Sequence, residues 1–140
     1  MNRRQLLRNL FEQTYCRLRP SPLHGVGVFA IRDIPAGVDP FEGCFRGRSI
    51  RLSEAELAGL DPEVRAIVDD FFVTRFGWIW AGSRGPNGID IQYYLNHSER
   101  PNMLARDEGS WFVTAREIRA GEELTVDYAT FNDTLELTGP

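Results

Sequence analysis

The apolar residues of this 140-residue chain fall in short runs, which Gly, Pro, Asn and Asp interrupt at close intervals. Short apolar or alternating runs between turn signals are typical of β-strands. The strand candidates are residues 23–31 (a glycine-punctuated hairpin), 41–45, 76–81, 103–105, 111–115 and 124–128. A charged turn joins 103–105 to 111–115, and Arg46-Gly47-Arg48 is a further expected turn. The pattern predicts an α+β fold that is mostly β.

Two segments read as helical. Residues 3–15 place apolar side chains at helical spacing, namely Leu6, Leu7, Leu10 and Phe11. This predicts an amphipathic helix whose apolar face covers either the domain's own sheet or a partner chain. Ser53 and Glu56 fit a capping box, and Asp61-Pro62 places a cap before a proline at the first helical position. We therefore expect a short helical insert over residues 53–72, between strands.

The length of the chain suits one domain with one sizeable core. We divide it into an N-terminal helix (1–18), a main domain (19–130) and a short tail (131–140). No apolar run approaches the roughly 20 residues that span a bilayer, and Arg8 and Asn9 interrupt what would be the apolar part of a signal peptide. The expectation is a cytoplasmic protein without a membrane partner, or a nuclear one if the source is eukaryotic.

The two cysteines predict neither a disulfide framework nor a metal site. Cys16 and Cys44 lie far apart in the sequence and form no Cys-x-x-Cys pair, and the only histidines are His24 and His97. A metal ion is therefore not expected.

The charge is unevenly distributed along the chain. Residues 1–51 carry nine Arg and four acidic residues, whereas residues 52–140 carry seven Arg and sixteen acidic residues. An acidic half favours a basic partner, such as a lysine-rich peptide segment, and argues against direct binding of nucleic acid there. Ordinary solvated surface is an equally good explanation. All sixteen basic residues are arginine, and the chain contains no lysine.

Residues 94–102 concentrate Asn96, His97, Ser98 and Asn102 between apolar runs. Short polar side chains of this kind bond to nearby backbone groups, so a well-made loop between strands explains them. The strand at 124–128 follows Glu122 and Glu123. We interpret these two carboxylates as solvated turn residues rather than as part of a hydrolytic cluster.

Three segments taken together resemble the SET-domain family of protein lysine methyltransferases. They are residues 21–30 with 34–37 (Ser-Pro-Leu-His-Gly-Val-Gly-Val-Phe-Ala, then Ile-Pro-Ala-Gly), residues 95–98 with 101–102 (Leu-Asn-His-Ser, then Pro-Asn), and residues 121–128 (Gly-Glu-Glu-Leu-Thr-Val-Asp-Tyr). They occur in the family's order and at its spacing. The resemblance implies a SET-type fold of small antiparallel sheets with a C-terminal pseudoknot, in which the Asn-His-Ser strand threads beneath the loop of the last motif.

The resemblance also implies a cofactor, S-adenosylmethionine, and a lysine-containing peptide that meets it through a narrow channel. By this carry-over the cofactor is bound by Gly25, Val26, Gly27, Asn96 and His97. Tyr128 is the implied catalytic residue at the channel. The lysine ε-amine has a reference pKa of ~10.4 and must lose its proton before it attacks. Desolvation in an apolar channel favours that loss, and catalysis is then chiefly positioning.

The chain departs from the family pattern at several positions. Glu99 follows Asn-His-Ser, where relatives often have Cys, and no cysteine follows Cys44, so the cysteine-rich zinc segment of many relatives is missing. Phe131, the N-terminal helix or the second subunit of a homodimer are the candidates to close the channel instead.

The expected substrate channel includes Phe41, Ala105 and Val126 besides Phe131. Phe41 stands where many relatives carry a second tyrosine. Ala105 and Val126 align with positions where relatives often place the aromatic residue that limits the number of methyl groups. A roomier channel of this kind would permit more than one methylation. The missing hydroxyl and the short tail leave a second reading open, a catalytically idle SET-like module that binds a peptide or a partner protein.

Overall fold

The computed structural model describes residues 1–44 and 49–132. The turn expected at residues 46–48 and the tail from residue 133 onward lie outside these ranges. The strands are β1 (Cys16–Pro20), β2 (Val26–Ala30), β3 (Ser49–Leu52), β4 (Val73–Arg75), β5 (Trp78–Gly82), β6 (Asn96–His97), β7 (Met103–Arg106), β8 (Trp111–Thr114) and β9 (Glu123–Val126). The α-helices are α1 (Arg3–Arg8) and α2 (Pro62–Phe71).

The described strands form three small sheets. The largest has the order β1-β2-β9-β6, the second has the order β3-β5-β4, and β7 and β8 form a hairpin. All pairs are antiparallel except β6 and β9, which are parallel with Asn96 opposite Thr125 and His97 opposite Val126. This architecture confirms the prediction of a mostly-β α+β fold. The parallel pairing brings two of the motifs into contact, while the threading of a pseudoknot stays a prediction.

The core divides between two clusters of buried side chains. The larger cluster joins the first sheet to the β7–β8 hairpin and includes Val28, Ile34, Leu95, Met103, Leu124 and Val126. The smaller one packs α2 against the second sheet through Val68, Phe72, Ile79 and Ala81. The helices therefore lie between strands, as expected, but they pack on a sheet of their own. This sheet begins before residue 53 and ends after residue 72.

The local signals for the second helix are confirmed. The Asp61 side chain accepts a hydrogen bond from the Glu63 backbone amide, with Pro62 at the first position. Ser53 and Glu56 make the reciprocal bonds of a capping box, 3.1 Å from the Ser53 amide to Glu56 and 3.2 Å from the Glu56 amide to Ser53 Oγ. The turn that follows, Ala55–Leu57, is a 3₁₀-helix.

The N-terminal helix differs from the prediction over residues 3–15. The α-helix ends at Arg8, and the next residues, Asn9–Gln13, form a π-helical turn. Its apolar side chains are not covered by the described part of the chain, since Leu10 is 55% exposed and Phe11 is 76% exposed. Strand β1 follows immediately, although its sequence gave no strand prediction.

One strand prediction is wrong and another is confirmed with a later start. Residues 41–44 form a turn with a bridge between Glu42 and Cys44 rather than part of a strand, and Phe45 lies outside the described residues. The strand predicted at 76–81 is confirmed from Trp78 onward as β5, whereas Phe76-Gly77 is the turn of a β-hairpin that joins β5 to β4. In β5, Ile79 and Ala81 face the core, and Trp78 and Trp80 on the opposite face are only partly buried. The described residues include no helix long and apolar enough to cross a membrane.

Candidate active site

The glycine-containing loop between β1 and β2 is closed by a short turn. The Ser21 amide donates to the Gly25 carbonyl at 2.8 Å, and Gly25 adopts a left-handed φ of +44° with open space where a side chain would lie. Gly27 is different, because a Cβ there would lie 2.2 Å from Glu123 Oε2 and 3.0 Å from Asn96 Nδ2. A side chain is therefore disfavoured at Gly25 by the backbone conformation and at Gly27 by the closeness of the neighbouring side chains.

Asn96 fastens this loop to the first sheet. Its side chain is buried, and Nδ2 donates to the carbonyls of His24 (3.0 Å) and Val26 (3.3 Å) and to Glu123 Oε2 (2.9 Å). Three acceptors around one nitrogen fix the orientation of the amide. Oδ1 accepts no hydrogen bond from the residues that the structure describes, so it is available to a ligand.

The carboxylate of Glu123 is the centre of this polar cluster. Besides Asn96 it accepts bonds from the Ser21 hydroxyl, at 2.7 Å and 2.9 Å to its two oxygens. The expectation that Glu123 is a solvated turn residue was wrong, because it begins β9 and is half-buried. Glu122 does lie at the turn, where it accepts from Arg116 and from the Arg119 amide. The Arg116 bond and then the Arg119 amide hold the pKa of Glu122 below its usual value.

His97 contacts the end of the last motif. Its Nδ1 accepts a hydrogen bond from the Tyr128 amide at 3.1 Å, and the two rings lie 5.3 Å apart at 55°. The Asp127 carboxylate lies 3.7 Å from the same nitrogen. An accepting Nδ1 places the ring proton on Nε2, which is then the nitrogen available as a donor.

The hydroxyl of Tyr128 donates to the Leu95 carbonyl at 2.5 Å. Burial, and secondarily the charge of Glu123, raise the pKa of Tyr128 to about 12. The hydroxyl is therefore protonated near neutral pH and acts as a hydrogen-bonding group, not as a general base. Because its proton is directed to Leu95, the oxygen keeps its lone pairs for a second partner.

Tyr128 lines a cavity of about 670 Å³ with strongly aromatic walls. The aromatic side chains that line it include Phe72, Trp80, Tyr93, Phe112, Tyr128 and Phe131. Phe131 packs edge-on against both Phe112 and Tyr128, with ring centroids 5.8 Å and 5.9 Å apart. This cavity lies between the large core cluster and the second sheet, and its volume is within the range of ligand-binding pockets.

The residues predicted for the substrate channel are only partly brought together. Val126 and Phe131 line the aromatic cavity, whereas neither Phe41 nor Ala105 is among the described residues that do so. Phe41 is buried and lines a second cavity of about 490 Å³, beside Asn9 and Cys16. Ala105 pairs with Phe112 across the β7–β8 hairpin. Of the two small residues expected to leave room for more than one methyl group, only Val126 is among the described residues that line the cavity, so the hypothesis of multiple methylation depends on Val126.

The predicted cofactor residues are brought together by the first sheet. Val26 and Gly27 belong to β2, Asn96 and His97 form β6, and β9 pairs with both strands. Sequence reasoning missed Ser21 and Leu95 as partners of Glu123 and Tyr128. The alternation of polar and apolar residues from Glu123 to Asp127 was the available signal that Glu123 belongs to the strand.

Comparisons with known proteins agree with this geometry. The SET-domain profile matches residues 25–129, most of the chain. Among solved structures, a putative histone methyltransferase from Plasmodium falciparum is similar with a TM-score of 0.50 and 18% sequence identity, over 83% of this chain and 94% of that one. At this identity the likeness shows the fold alone. No curated protein sequence matches.

The fold and the three assembled motifs are those of a SET domain. The chain belongs to the SET-domain family, as its sequence motifs predicted. Membership supports a methyltransferase activity in general terms.

Proposed function

We propose that the protein is an S-adenosylmethionine-dependent protein lysine N-methyltransferase. One observation carries the proposal, the position of Tyr128 between two sites. Its hydroxyl is held by the Leu95 carbonyl, and its side chain lines the aromatic cavity. Tyr128 follows β9, whose Glu123 binds Ser21 and Asn96 at the glycine loop. A methyl-donor site and a lysine site would thus be adjacent across one strand.

The residues around the glycine loop suit the amino-acid end of S-adenosylmethionine. The space above Gly25 admits a ligand against the backbone, and Asn96 Oδ1 is an acceptor for an ammonium group. His97 Nε2–H is a donor for a heterocyclic nitrogen. We assign the cofactor to Gly25, Val26, Gly27, Asn96 and His97. When bound, S-adenosylmethionine supplies an electrophilic methyl group on a sulfonium.

The aromatic cavity suits the lysine side chain, because its walls cover the apolar stem and disfavour the ammonium form of the amine. The Tyr128 O–H donates a hydrogen bond to the Leu95 carbonyl, so the Tyr128 oxygen is free to accept a hydrogen bond from an N–H of the neutral amine. That contact positions the nitrogen without occupying the lone pair that must attack. The role of Tyr128 is therefore positioning and desolvation.

The proposed partner is a lysine-containing segment of another protein, since this chain has no lysine side chain of its own. The acidic balance of residues 52–140 supports a basic protein as the carrier of that segment. Electrostatic attraction of this kind increases the rate of encounter more than it fixes the site of modification.

The test is transfer of labelled methyl from S-adenosylmethionine to a panel of lysine-containing proteins and peptides. Tyr128→Phe should lower the rate by about 100-fold, because a misplaced amine loses the in-line geometry. Calorimetry should show that the variant still binds the cofactor. Tyr94→Phe is the matched control. Tyr94 packs edge-on against Phe71 and is not among the described residues that line the cavity, so its rate should stay within about twofold of the unmodified chain.

Full activity in Tyr128→Phe would refute the assigned role. Cofactor binding without transfer to any acceptor would favour the peptide-binding module over the enzyme. Absence of both binding and transfer would refute the proposed function.

A further inference from the structure

The turn of the β4–β5 hairpin carries an aromatic residue in an unfavourable backbone conformation. Phe76 and Gly77 form this two-residue turn with φ of +55° and +78°. Such positions favour Asn, Asp or Gly, and a bulky residue there is a genuine outlier. The Phe76 side chain is also 67% exposed and lines the aromatic cavity that contains Tyr128. The fold thus leaves most of the surface of a large apolar ring exposed, in a backbone conformation that suits a smaller residue.

A second strained loop lies across the same cavity. Asp107 and Glu108, between β7 and β8, have φ of +47° and +56°, and Gly109 follows at +86°. Phe76, Asp107 and Glu108 are the non-glycine residues with positive φ in residues 1–44 and 49–132. All three therefore belong to two loops that border one cavity. Backbone strain that concentrates in this way points to a functional contact.

The two loops are joined, and the join orients the ring of Phe76. Arg75 Nε donates to Glu108 Oε2 at 3.2 Å, and the Arg75 guanidinium lies 4.9 Å from the centroid of the Phe76 ring. A cation held over an aromatic face by a carboxylate restricts the motion of both. The ring is consequently preorganised at the edge of the cavity.

Among the residues that the structure describes, the charged side chains that line the cavity balance one another. Asp70 and Glu108 are acidic, and Arg75 and Arg84 are basic. The net charge of these described residues therefore does not favour a run of basic residues beside the target lysine. The feature that distinguishes the mouth is the apolar ring of Phe76.

We propose that Phe76 is a specificity-determining residue that contacts a large apolar side chain beside the target lysine. This inference rests on the proposed function and deepens it. The substrate class is a lysine flanked by Leu, Ile, Met or Phe, rather than a lysine within a continuous basic run. The strained conformation is retained because an Asn in this turn would offer no surface for that contact.

The experiment uses the full chain, labelled S-adenosylmethionine and a peptide library with a fixed central lysine and randomised flanking positions. Mass spectrometry of the methylated products reads the preference at each position. The unmodified chain should prefer large apolar residues over polar ones by about tenfold at one flanking position, and Phe76→Asn should reduce this preference to about twofold or less. Asn tolerates positive φ, so this variant is expected to fold.

Two further variants separate a specific contact from a general effect. Phe76→Leu restores an apolar side chain and should recover part of the preference. Phe11→Asn removes a similarly exposed phenylalanine, 76% exposed, that lines neither cavity, and should leave the preference unchanged.

Failure of the inference and failure of the proposed function give different results. Methylation of the library without an apolar preference, or with a preference that persists in Phe76→Asn, would overturn the inference and leave the function standing. No methylation of any peptide or protein would overturn both.

Discussion

Gly27 is the position where a single added methyl group should disturb the site most. A Cβ built there would lie 2.2 Å from Glu123 Oε2 and 2.9 Å from Glu123 Cδ. Favourable contacts between non-bonded heavy atoms lie near 3.5 Å, so the carboxylate must move by about 1 Å or more. The end of a glutamate side chain moves easily, so the steric cost itself is small. The larger cost is the loss of the hydrogen bonds that this carboxylate accepts.

Those bonds set the expected magnitude. Glu123 accepts from Ser21 Oγ at 2.7 Å and 2.9 Å and from the buried Asn96 at 2.9 Å. Bonds to a charged group contribute ~1.5–3 kcal/mol each, and Asn96 retains two carbonyl partners after the change. Glu123 is half-exposed, so the lower end applies. We expect Gly27→Ala to reduce the free energy of unfolding by about 2 kcal/mol, equivalent to a Tm about 6–8 °C lower for a domain of this size.

A double-mutant cycle with Glu123→Ala isolates this mechanism. Once the carboxylate is absent, the two contacts of the new methyl group with Glu123 are gone, and the contact with Asn96 Nδ2 at 3.0 Å remains. Gly27 lies in a strand without a positive φ, so Gly27→Ala should then cost less than about 1 kcal/mol, and the two changes should be coupled by about 1 kcal/mol or more. Urea unfolding measures all four states. Gly37→Ala, at a turn with open space, is the control and should be additive with Glu123→Ala. Additivity of Gly27→Ala with Glu123→Ala would refute the reasoning.

Two further predictions concern the aromatic cavity and the second cavity. Gly109 has a φ of +86°, and a Cβ there would lie 2.7 Å from the Phe131 ring. Gly109→Ala should therefore displace that ring and reduce methyl transfer by about tenfold, while calorimetry shows unchanged cofactor affinity; a matching loss of affinity would contradict this. Burial raises the pKa of the Asp90 carboxyl above its usual 3.8, so the folded chain binds this proton more tightly than the unfolded chain does. The stabilisation that results is present below pH 3.8 and is lost as the pH rises through the raised pKa. Urea unfolding should show that the free energy of unfolding of Asp90→Asn rises relative to that of the unmodified chain between pH 3.5 and neutrality. A difference that does not change with pH would contradict a raised pKa at Asp90.

The parts of the fold that sequence predicted are those with strong local signals. Asp61-Pro62 begins a helix because the cap and the fixed φ of proline act within one turn of chain. The strands at 103–105, 111–115 and 124–128 combine apolar patterning with flanking turns. The three motifs identified the family, because their spacing reflects contacts that the fold must make.

The parts that sequence missed depend on partners far away in the chain. Strand β1 consists of Cys16, Arg17, Leu18, Arg19 and Pro20, and four of these five residues are exposed, because β1 is the edge of its sheet. An edge strand with charged residues and a proline lacks the usual apolar pattern, and these features also discourage pairing with other chains.

Glu123 was misinterpreted for the same reason. Its partners Ser21 and Asn96 lie 102 and 27 residues away, so the local alternation indicates that Glu123 belongs to the strand but not that its carboxylate is hydrogen-bonded to them. The hairpin turn at Phe76-Gly77 was missed because its first residue is one that such turns disfavour. In both cases the rule failed at a residue that lies at the candidate site, which is where function is expected to compete with local preference.

The position of the glycine loop, Asn96 and Glu123 relative to one another depends on how β9 pairs with β2 and β6. Phe29 lies opposite Glu123 on one side, and Asn96 lies opposite Thr125 on the other. The buried side chain of Asn102 adds a third constraint, because it donates to the Glu123 carbonyl and accepts from the Thr125 amide, both at 2.8 Å. A slip of one residue would turn Leu124 towards the glycine loop and Glu123 into the core. The polar residues of the motifs therefore fix β9 between its neighbours. This register places Glu123 beside Gly27 and, together with the bonds of Tyr128 to His97 and Leu95, places Tyr128 at the aromatic cavity.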